Sequence, residues 1–262
     1  MCRAARLTLE DGSSILAKTW PSGAAPEQFF AAEAAGLTWL REAGAAPVPE
    51  VLVALDEMLA LAWIDVGTPT PEAAERFGRE LAGVHRAGAE SFGAPWTGFI
   101  GPLRQDNTPS AGPWSEWFAE RRLRPYLRAS ADRGALTAGD VAVVERVLAR
   151  IDSYGGQEGP ARVHGDLWPG NVLWGADQRG WLIDPAAHGG HRETDLAQLA
   201  LFGGAPHLER ILAGYQEVWP LSAGWRARVP LHQLHLLLVH TAAFGTAYSG
   251  AVRDAADAVL RA

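Results

Sequence analysis

Along the first sixty residues, apolar and polar positions alternate before they turn helical. Arg6 to Leu9 and Ile15 to Thr19 flank Glu10-Asp11-Gly12-Ser13, and Asp-Gly between two such runs marks a tight hairpin. From Pro26 to Gly44 the apolar residues Phe29, Phe30, Ala34, Leu37 and Leu40 recur at helical spacing, and Pro47 and Pro49 block any continuation. Val51-Leu52-Val53 and the run Met58 to Ile64 then read as two further strands, separated by Asp56-Glu57. The result is a small antiparallel sheet with one helix. Beyond Gly67, Pro69 and Pro71 the pattern is helical almost throughout, beginning with Phe77, Leu81, Val84 and His85 between Ala73 and Gly88. The boundary between a small and a large lobe is expected near residues 65 to 70, giving segments 1–66 and 67–262.

One interruption of the helical pattern is rich in polar groups. Ala161-Arg162-Val163 leads into His164-Gly165-Asp166-Leu167-Trp168-Pro169-Gly170-Asn171. Val172-Leu173-Trp174 and Trp181-Leu182-Ile183 then flank a turn at residues 176–180, and Asp184-Pro185 follows. This predicts a hairpin with Asp166 and Asn171 in the loop that enters it and Asp184 just past its exit. All three side chains would then lie at one end of the same small sheet.

Phosphoryl transfer from a nucleotide needs one carboxylate to orient the attacking hydroxyl and accept its proton. It also needs a carboxamide and a second carboxylate to hold Mg²⁺ against the phosphates. Asp166 fits the role of base, and Asn171 and Asp184 those of metal ligands. The spacing of five from Asp to Asn matches a kinase catalytic loop. Each triplet alone is an ordinary Asp, Asn and Gly turn. In this order, between two strands and before the helix-like Arg192-Glu193-Thr194-Asp195-Leu196-Ala197, they predict a small-molecule kinase.

On the small lobe, Lys18 falls on the second strand and Glu33 on the helix, an arrangement that lets an ion pair present the ammonium to nucleotide phosphates. Lys18 is the only lysine in the chain. An ammonium meets phosphate oxygens as a compact point charge, whereas guanidinium is planar and bulky.

The segment from Val163 to Pro206 resembles the fructosamine kinase (ketosamine 3-kinase) family, a branch of the aminoglycoside phosphotransferase-like kinases. HGDLWPGNVLW, IDPAAHGGHRETDLA and LFGGAP carry the resemblance. HGD with a downstream Asn is shared across the wider phosphotransferases. Trp168, the DPA in place of DFG, and the stretch from GHRETDLA to LFGG resemble the fructosamine kinases in particular. Phe99 to Asn107 and Trp114 to Leu123 are similar to that family too, so the likeness covers nearly the whole chain.

The resemblance implies an α+β, two-lobed, protein-kinase-like fold. Its small antiparallel-sheet lobe with one helix would bind nucleotide, and its larger, mainly helical lobe would carry catalysis and the acceptor. ATP and Mg²⁺ are the implied cofactors. The implied reaction is phosphorylation of a sugar hydroxyl on a ketosamine, small or protein-bound, such as a fructosamine or ribulosamine. The connector Ala62-Trp63-Ile64 is expected to offer backbone groups to the adenine edge, with Ala62 standing where the family commonly has an acidic residue. Asp195 is expected to brace the catalytic loop by accepting backbone hydrogen bonds, with His164 as further support. Arg192 and Glu193 are expected to shape the acceptor pocket. Trp168 either stacks on the sugar or amine substituent or fills the core. Gln105-Asp106-Asn107 resembles the family's acceptor-side segment and equally makes good turns.

In this fold a glycine-rich hairpin normally precedes the lysine strand, and this sequence begins seventeen residues before Lys18. Either the sequence starts downstream of the natural start, or this homologue lacks the phosphate lid. The second case leaves a pseudokinase or interaction module as an alternative. Another alternative keeps the chemistry and takes an aminoglycoside, choline or another small alcohol as acceptor.

Charge and composition narrow the partners. The net charge is −7, from 23 Lys and Arg against 30 Asp and Glu. That argues against a nucleic-acid partner, which requires clustered basic side chains. No apolar run reaches the roughly 18 residues of a membrane span, and no signal-peptide pattern is present. A cytoplasmic location without membrane contact is expected. The single Cys2 excludes an internal disulfide and any multi-cysteine metal site. His188, His191, His232, His235 and His240 are expected to serve packing and capping, because no converging set of three or four ligands is evident. Oligomeric state is not legible in the sequence.

Overall fold

The computed structural model describes residues 2–154, 156 and 158–262. Strands β1 (Arg3–Thr8) and β2 (Ser14–Thr19) form an antiparallel hairpin with Thr8 opposite Ser14. The Asp11 carboxylate closes its turn by accepting the Ser13 N–H at 2.9 Å. Helix α1 (Phe29–Glu42) follows, then β3 (Val51–Ala54) and β4 (Met58–Ala62), giving a four-stranded sheet in the order β1-β2-β4-β3. The register pairs Lys18 with Leu59. Helix α1 begins at Phe29, the first residue of the apolar spacing, because Gln28 before it is left-handed (φ 65°) and the Phe29 N–H closes a turn on the Pro26 carbonyl. Its Phe30, Leu37 and Leu40 are buried with Leu59 and Leu61 of β4, the apolar burial that holds helix to sheet.

Helix α2 (Pro71–Arg86) starts where the sequence pattern places it. Pro71 occupies the first turn and the Thr70 hydroxyl accepts the Ala73 N–H at 3.2 Å. Hairpin β5 (Gly98–Ile100) and β6 (Leu103–Gln105) comes next. Helix α3 (Trp114–Phe118) then runs through a π-helical turn (Ala119–Leu123) into α4 (Arg124–Asp132), and α5 (Ala138–Leu148) follows. Strand β7 (Ala161–Val163), hairpin β8 (Val172–Trp174) and β9 (Gly180–Leu182), and strand β10 (His188–Gly190) carry the polar motifs. Helices α6 (Glu193–Gln198), α7 (Leu208–Val218), α8 (Trp225–Phe244) and α9 (Ser249–Arg261) complete the chain.

Two strand pairs in this half, β5–β6 and β7–β10, depart from the all-helical expectation. At three residues each they are too short to display a period of two. No helix among the described residues is long and apolar enough to cross a membrane.

Three features fix the site between these parts. Val66 bridges to Gly175, and the Gly67 N–H donates to the Trp174 carbonyl at 2.8 Å, so the connector is stitched onto the β8–β9 hairpin. Leu167, inside the catalytic loop, is fully buried in the same apolar cluster as Phe77, Leu182 and Tyr215. Helices α2 and α7 approach so closely that a Cβ at Gly78 would stand 2.0 Å from the Ile211 carbonyl oxygen. That contact brings His85 of α2 beside Tyr215 of α7.

Candidate active site

The loop between β7 and β8 is held from beneath by α6. Asp195 and Gln198, one helical turn apart, face it together. The Asp195 carboxylate accepts the His164 N–H at 2.7 Å and the Gly165 N–H at 2.9 Å. Gln198 accepts the Leu167 N–H at 2.6 Å and donates to the Gly165 carbonyl at 3.2 Å. Asp195 is fully buried, which alone would raise its pKa, but the hydrogen bond from His85, the electrostatic pull of the His85 and His164 rings and the Gly165 backbone donor outweigh burial and lower it. It is therefore an acceptor only. It follows that His85 donates Nε2–H to Asp195 at 3.1 Å, while its Nδ1 pairs with the Tyr215 hydroxyl at 2.8 Å.

His164 ties the two halves of the site together. Its Nδ1 accepts the Asp166 N–H at 3.2 Å and its Nε2–H donates to the Ile183 carbonyl at 2.8 Å, one residue before Asp184. Burial lowers its pKa, so the ring is neutral and both contacts are satisfied by one tautomer. Gly165 has φ +81°, and a Cβ there would lie 2.4 Å from the Ala186 carbonyl oxygen. Only glycine fits this turn.

Asp166, Asn171 and Asp184 converge. Asn171 donates Nδ2 to the Asp166 carbonyl at 2.8 Å, to the Asp166 carboxylate at 3.2 Å and to the Asp184 carbonyl at 3.4 Å. With the amide nitrogen so engaged, Oδ1 is the atom turned away from the loop. Asp166 is half-buried, its Oδ1 enclosed and without a partner among the described residues. Burial, and next the negative charge of Asp184, raise its pKa well above the ordinary carboxylate value, against the opposing Asn171 hydrogen bond.

Lys18 faces this group from β2. Its Nζ donates to Glu33 Oε1 at 2.5 Å and to Asp184 Oδ1 at 3.0 Å. Burial would lower the Lys18 pKa, but the two carboxylates outweigh it and hold the ammonium charged. Asp184 is exposed and adopts a positive φ of 53°, a costly backbone for a residue with a side chain.

These residues line a cavity of about 320 Å³. Trp20, Phe29, Trp96, Phe99, Trp168 and Phe244 make much of its remaining wall. Trp168 thus faces the cleft, edge-on to Phe202 at 6.0 Å between ring centres. A model of the family described as fructosamine kinase matches residues 6–262. The chain belongs to the fructosamine kinase family. A ketoamine kinase candidate of Thermus thermophilus is 37% identical over 234 residues, covering 89% of this chain and 83% of that protein. The Escherichia coli K12 counterpart is 33% identical over 238 residues, covering 89% and 81%.

A crystal structure of a candidate fructosamine-3-kinase from Thermobifida fusca superposes with a TM-score of 0.95. It shares 56% identity and covers all of this chain and 90% of that one. A thermostable mutant of aminoglycoside phosphotransferase APH(4)-Ia, in ternary complex with ADP and hygromycin B, has a TM-score of 0.64. At 13% identity over 99% and 93% of the two chains, it shares the fold alone. As a fructosamine kinase family member the chain is a kinase with an α+β protein-kinase-like fold, and the family implies use of ATP and typically a divalent metal.

The donor set fits that chemistry. The carboxamide oxygen of Asn171 and the exposed carboxylate of Asp184 are hard oxygen ligands of the kind Mg²⁺ takes alongside phosphates.

One expectation for the fructosamine kinase site needs correction, and another is narrowed. Arg192 and Glu193 do not line the cleft. Arg192 forks onto Glu158 at 2.6 and 2.9 Å and donates to the Trp219 and Pro220 carbonyls, while Glu193 pairs with Arg228 at 2.6 and 2.8 Å. Standing at the start of α6, both reach toward the α7–α8 connection and the first turns of α8. Ala62 cannot offer its N–H to an adenine edge, because the Glu50 carbonyl takes it at 2.9 Å. Trp63 donates its indole N–H to Asp65 and packs under Arg6, and neither Trp63 nor Ile64 lines the cavity.

His191, Glu193 and His232 do bring ligand atoms within 4.8 Å of one another. They form a poor cation cage. His191 Nδ1 accepts the Glu193 N–H at 3.2 Å, which leaves the proton on Nε2, and Arg228 already occupies both Glu193 oxygens.

The residues that sequence reasoning did not connect to the site are His85, Tyr215 and Gln198, whereas Asn107 falls in the segment that resembles the family's acceptor side. For Gln198 a signal existed, since it follows Asp195 at i+3 and so shares a helix face with it. His85 and Tyr215 carry no local signal, because their partner lies on another helix.

Proposed function

We propose that the protein transfers the γ-phosphoryl group of ATP to a sugar hydroxyl of a ketosamine, with fructosamines and ribulosamines as the acceptor class. One observation carries this choice of acceptor. The charged side chains lining the cleft are Lys18, Glu33, Asp166 and Asp184, all belonging to the catalytic group itself, and the rest of the wall is neutral and largely aromatic. Such a wall suits a neutral sugar with one amine substituent. A polycationic aminoglycoside would find no additional carboxylates to match its ammonium groups.

In the mechanism the acceptor hydroxyl lies against Asp166, which orients it and takes its proton as the oxygen attacks phosphorus. Lys18, held by Glu33, exchanges Asp184 for phosphate oxygens and aligns them. Asn171 Oδ1 and Asp184 would hold Mg²⁺, which when bound neutralises charge on the phosphates. Asp195, His85 and Gln198 keep the Asp166 loop in one conformation so that no ordering is needed at the moment of reaction. The reaction draws on ATP, in keeping with a cytoplasmic location.

The test is an acceptor screen with γ-labelled ATP and Mg²⁺, comparing fructosyl- and ribulosyl-amines with aminoglycosides and choline. Label in the ketosamines supports the proposal. Label confined to aminoglycosides or choline rejects the acceptor, and label in none of them favours an interaction module.

A further inference from the structure

The acceptor side of the cleft contains a polar group with no partner among the described residues. Asn107 follows β6, is 5% exposed and lines the cavity with Asp166 and Trp168. Its Nδ2 is enclosed and donates to nothing among the described residues. The orientation of this amide is settled by chemistry. Arg122 Nη2, which can only donate, stands 2.7 Å from the other amide atom, so that atom must be the oxygen and the opposite face must be NH₂.

Arg122 is itself immobilised. It is fully buried, its Nη1 donates to the Asp106 and Arg121 carbonyls at 2.7 and 3.1 Å, and its guanidinium lies 4.2 Å over the Trp117 ring. It also belongs to the π-helical turn between α3 and α4, a feature that costs helix stability and is frequent at functional sites. Burial pushes its pKa down to about 9, which leaves it charged at neutral pH. A charged, buried side chain therefore holds Asn107 with its donor face unsatisfied, at a cost of the order of a lost hydrogen bond.

We infer that Asn107 is an acceptor-binding residue, whose Nδ2–H donates to a hydroxyl or carbonyl oxygen of the sugar that Asp166 deprotonates. Arg122 acts through it as a positioning residue. Recognition then has two ends: Asp166 accepts from the reacting hydroxyl, and Asn107 donates to a second oxygen of the same sugar. An acceptor lacking that oxygen leaves a buried donor unpaired, which makes the contact a means of discrimination.

The decisive substitution is Asn107→Asp. If Asn107 only braces Arg122, a carboxylate serves that guanidinium at least as well, and activity stays near wild type. If it donates to the acceptor, the carboxylate has no N–H to offer and the sugar oxygen loses its donor. The acceptor KM then rises about tenfold or more while the ATP KM is unchanged. The assay uses whichever acceptor the wild-type protein phosphorylates fastest in the screen, so a failed ketosamine reading shows in the wild type and a failed inference shows in the variant.

A second measurement holds if Asn107→Asp folds poorly. Wild type and Asn107→Ala are compared on acceptors with single sugar oxygens replaced by hydrogen. The inference expects one deoxy acceptor to be penalised in the wild type and not further penalised in Asn107→Ala. Equal penalties in both proteins for every deoxy acceptor overturn it.

Discussion

Lys18 and Asp184 are 166 residues apart in the chain and 3.0 Å apart in space. Their contact joins the small sheet to the exit of the catalytic hairpin, and Glu33 on α1 completes it from the other side. The ammonium is buried to 9% side-chain exposure, so the buried Glu33 carboxylate depends on it for neutralisation, while Asp184 stays open to solvent.

Replacing Lys18 by Met should therefore damage two things at once. Glu33, buried nearly as deeply, is left with an uncompensated charge, and stability should fall by about 3 kcal/mol, read from urea unfolding. Turnover should fall by about 10²-fold or more through loss of phosphate alignment. A Lys18→Met protein with near wild-type kcat would remove the ammonium from the mechanism.

For Asp166 the two effects should run in opposite directions. Its pKa is raised in the folded protein by burial and by the Asp184 charge, so the folded state holds this proton more tightly than the unfolded chain. Above the folded pKa the buried charge costs stability, and the cost is relieved as pH falls through that value. Asp166→Asn removes the charge at nearly constant shape. It should melt at a higher temperature than wild type at pH 7.5, with the difference narrowing on acidification. An equal or lower Tm for the variant at pH 7.5 contradicts this.

The same shift sets the acid side of the activity profile. Asp166 must be ionised to accept the hydroxyl proton, so kcat/KM for the acceptor should decline as pH falls through a value clearly above the ordinary carboxylate range of about 4. A profile that stays flat down to that range would place the base elsewhere.

His85→Leu should slow turnover from a distance. It leaves the Asp195 carboxylate and the Tyr215 hydroxyl each short of a buried partner, costing about 1 to 3 kcal/mol of stability, and loosens the loop that carries Asp166. The expected signature is a lower kcat with the ATP KM little changed. A change in ATP KM alone would mean that the network serves nucleotide binding instead.

Much of this was legible before any coordinates. The Asp-Gly hairpin, the helix carrying Glu33 and the strand pair around residues 176–180 follow from short-range patterns, and each forms where its pattern lies. Because Asp166, Asn171 and Asp184 bracket one hairpin, their convergence was legible too. What sequence could not show is the direction a buried helix turns its polar side chains. Arg192 and Glu193 sit beside Asp195 in the chain, yet α6 turns Asp195 toward the catalytic loop and the other two toward Glu158 and Arg228. The β5–β6 and β7–β10 pairs were hidden by their brevity, and the role of Asn107 by its dependence on Arg122, fifteen residues away.

Phosphate transfer to a ketosamine, followed in a single turnover with γ-labelled ATP and Mg²⁺ for wild type and Asp166→Asn side by side, tests the central claim most directly. Labelled ketosamine should form with the wild-type protein and fall by about 10²-fold or more in the variant, while both bind ATP equally. Label accumulating at the wild-type rate in Asp166→Asn, or none reaching the ketosamine with the wild type, would contradict the assignment.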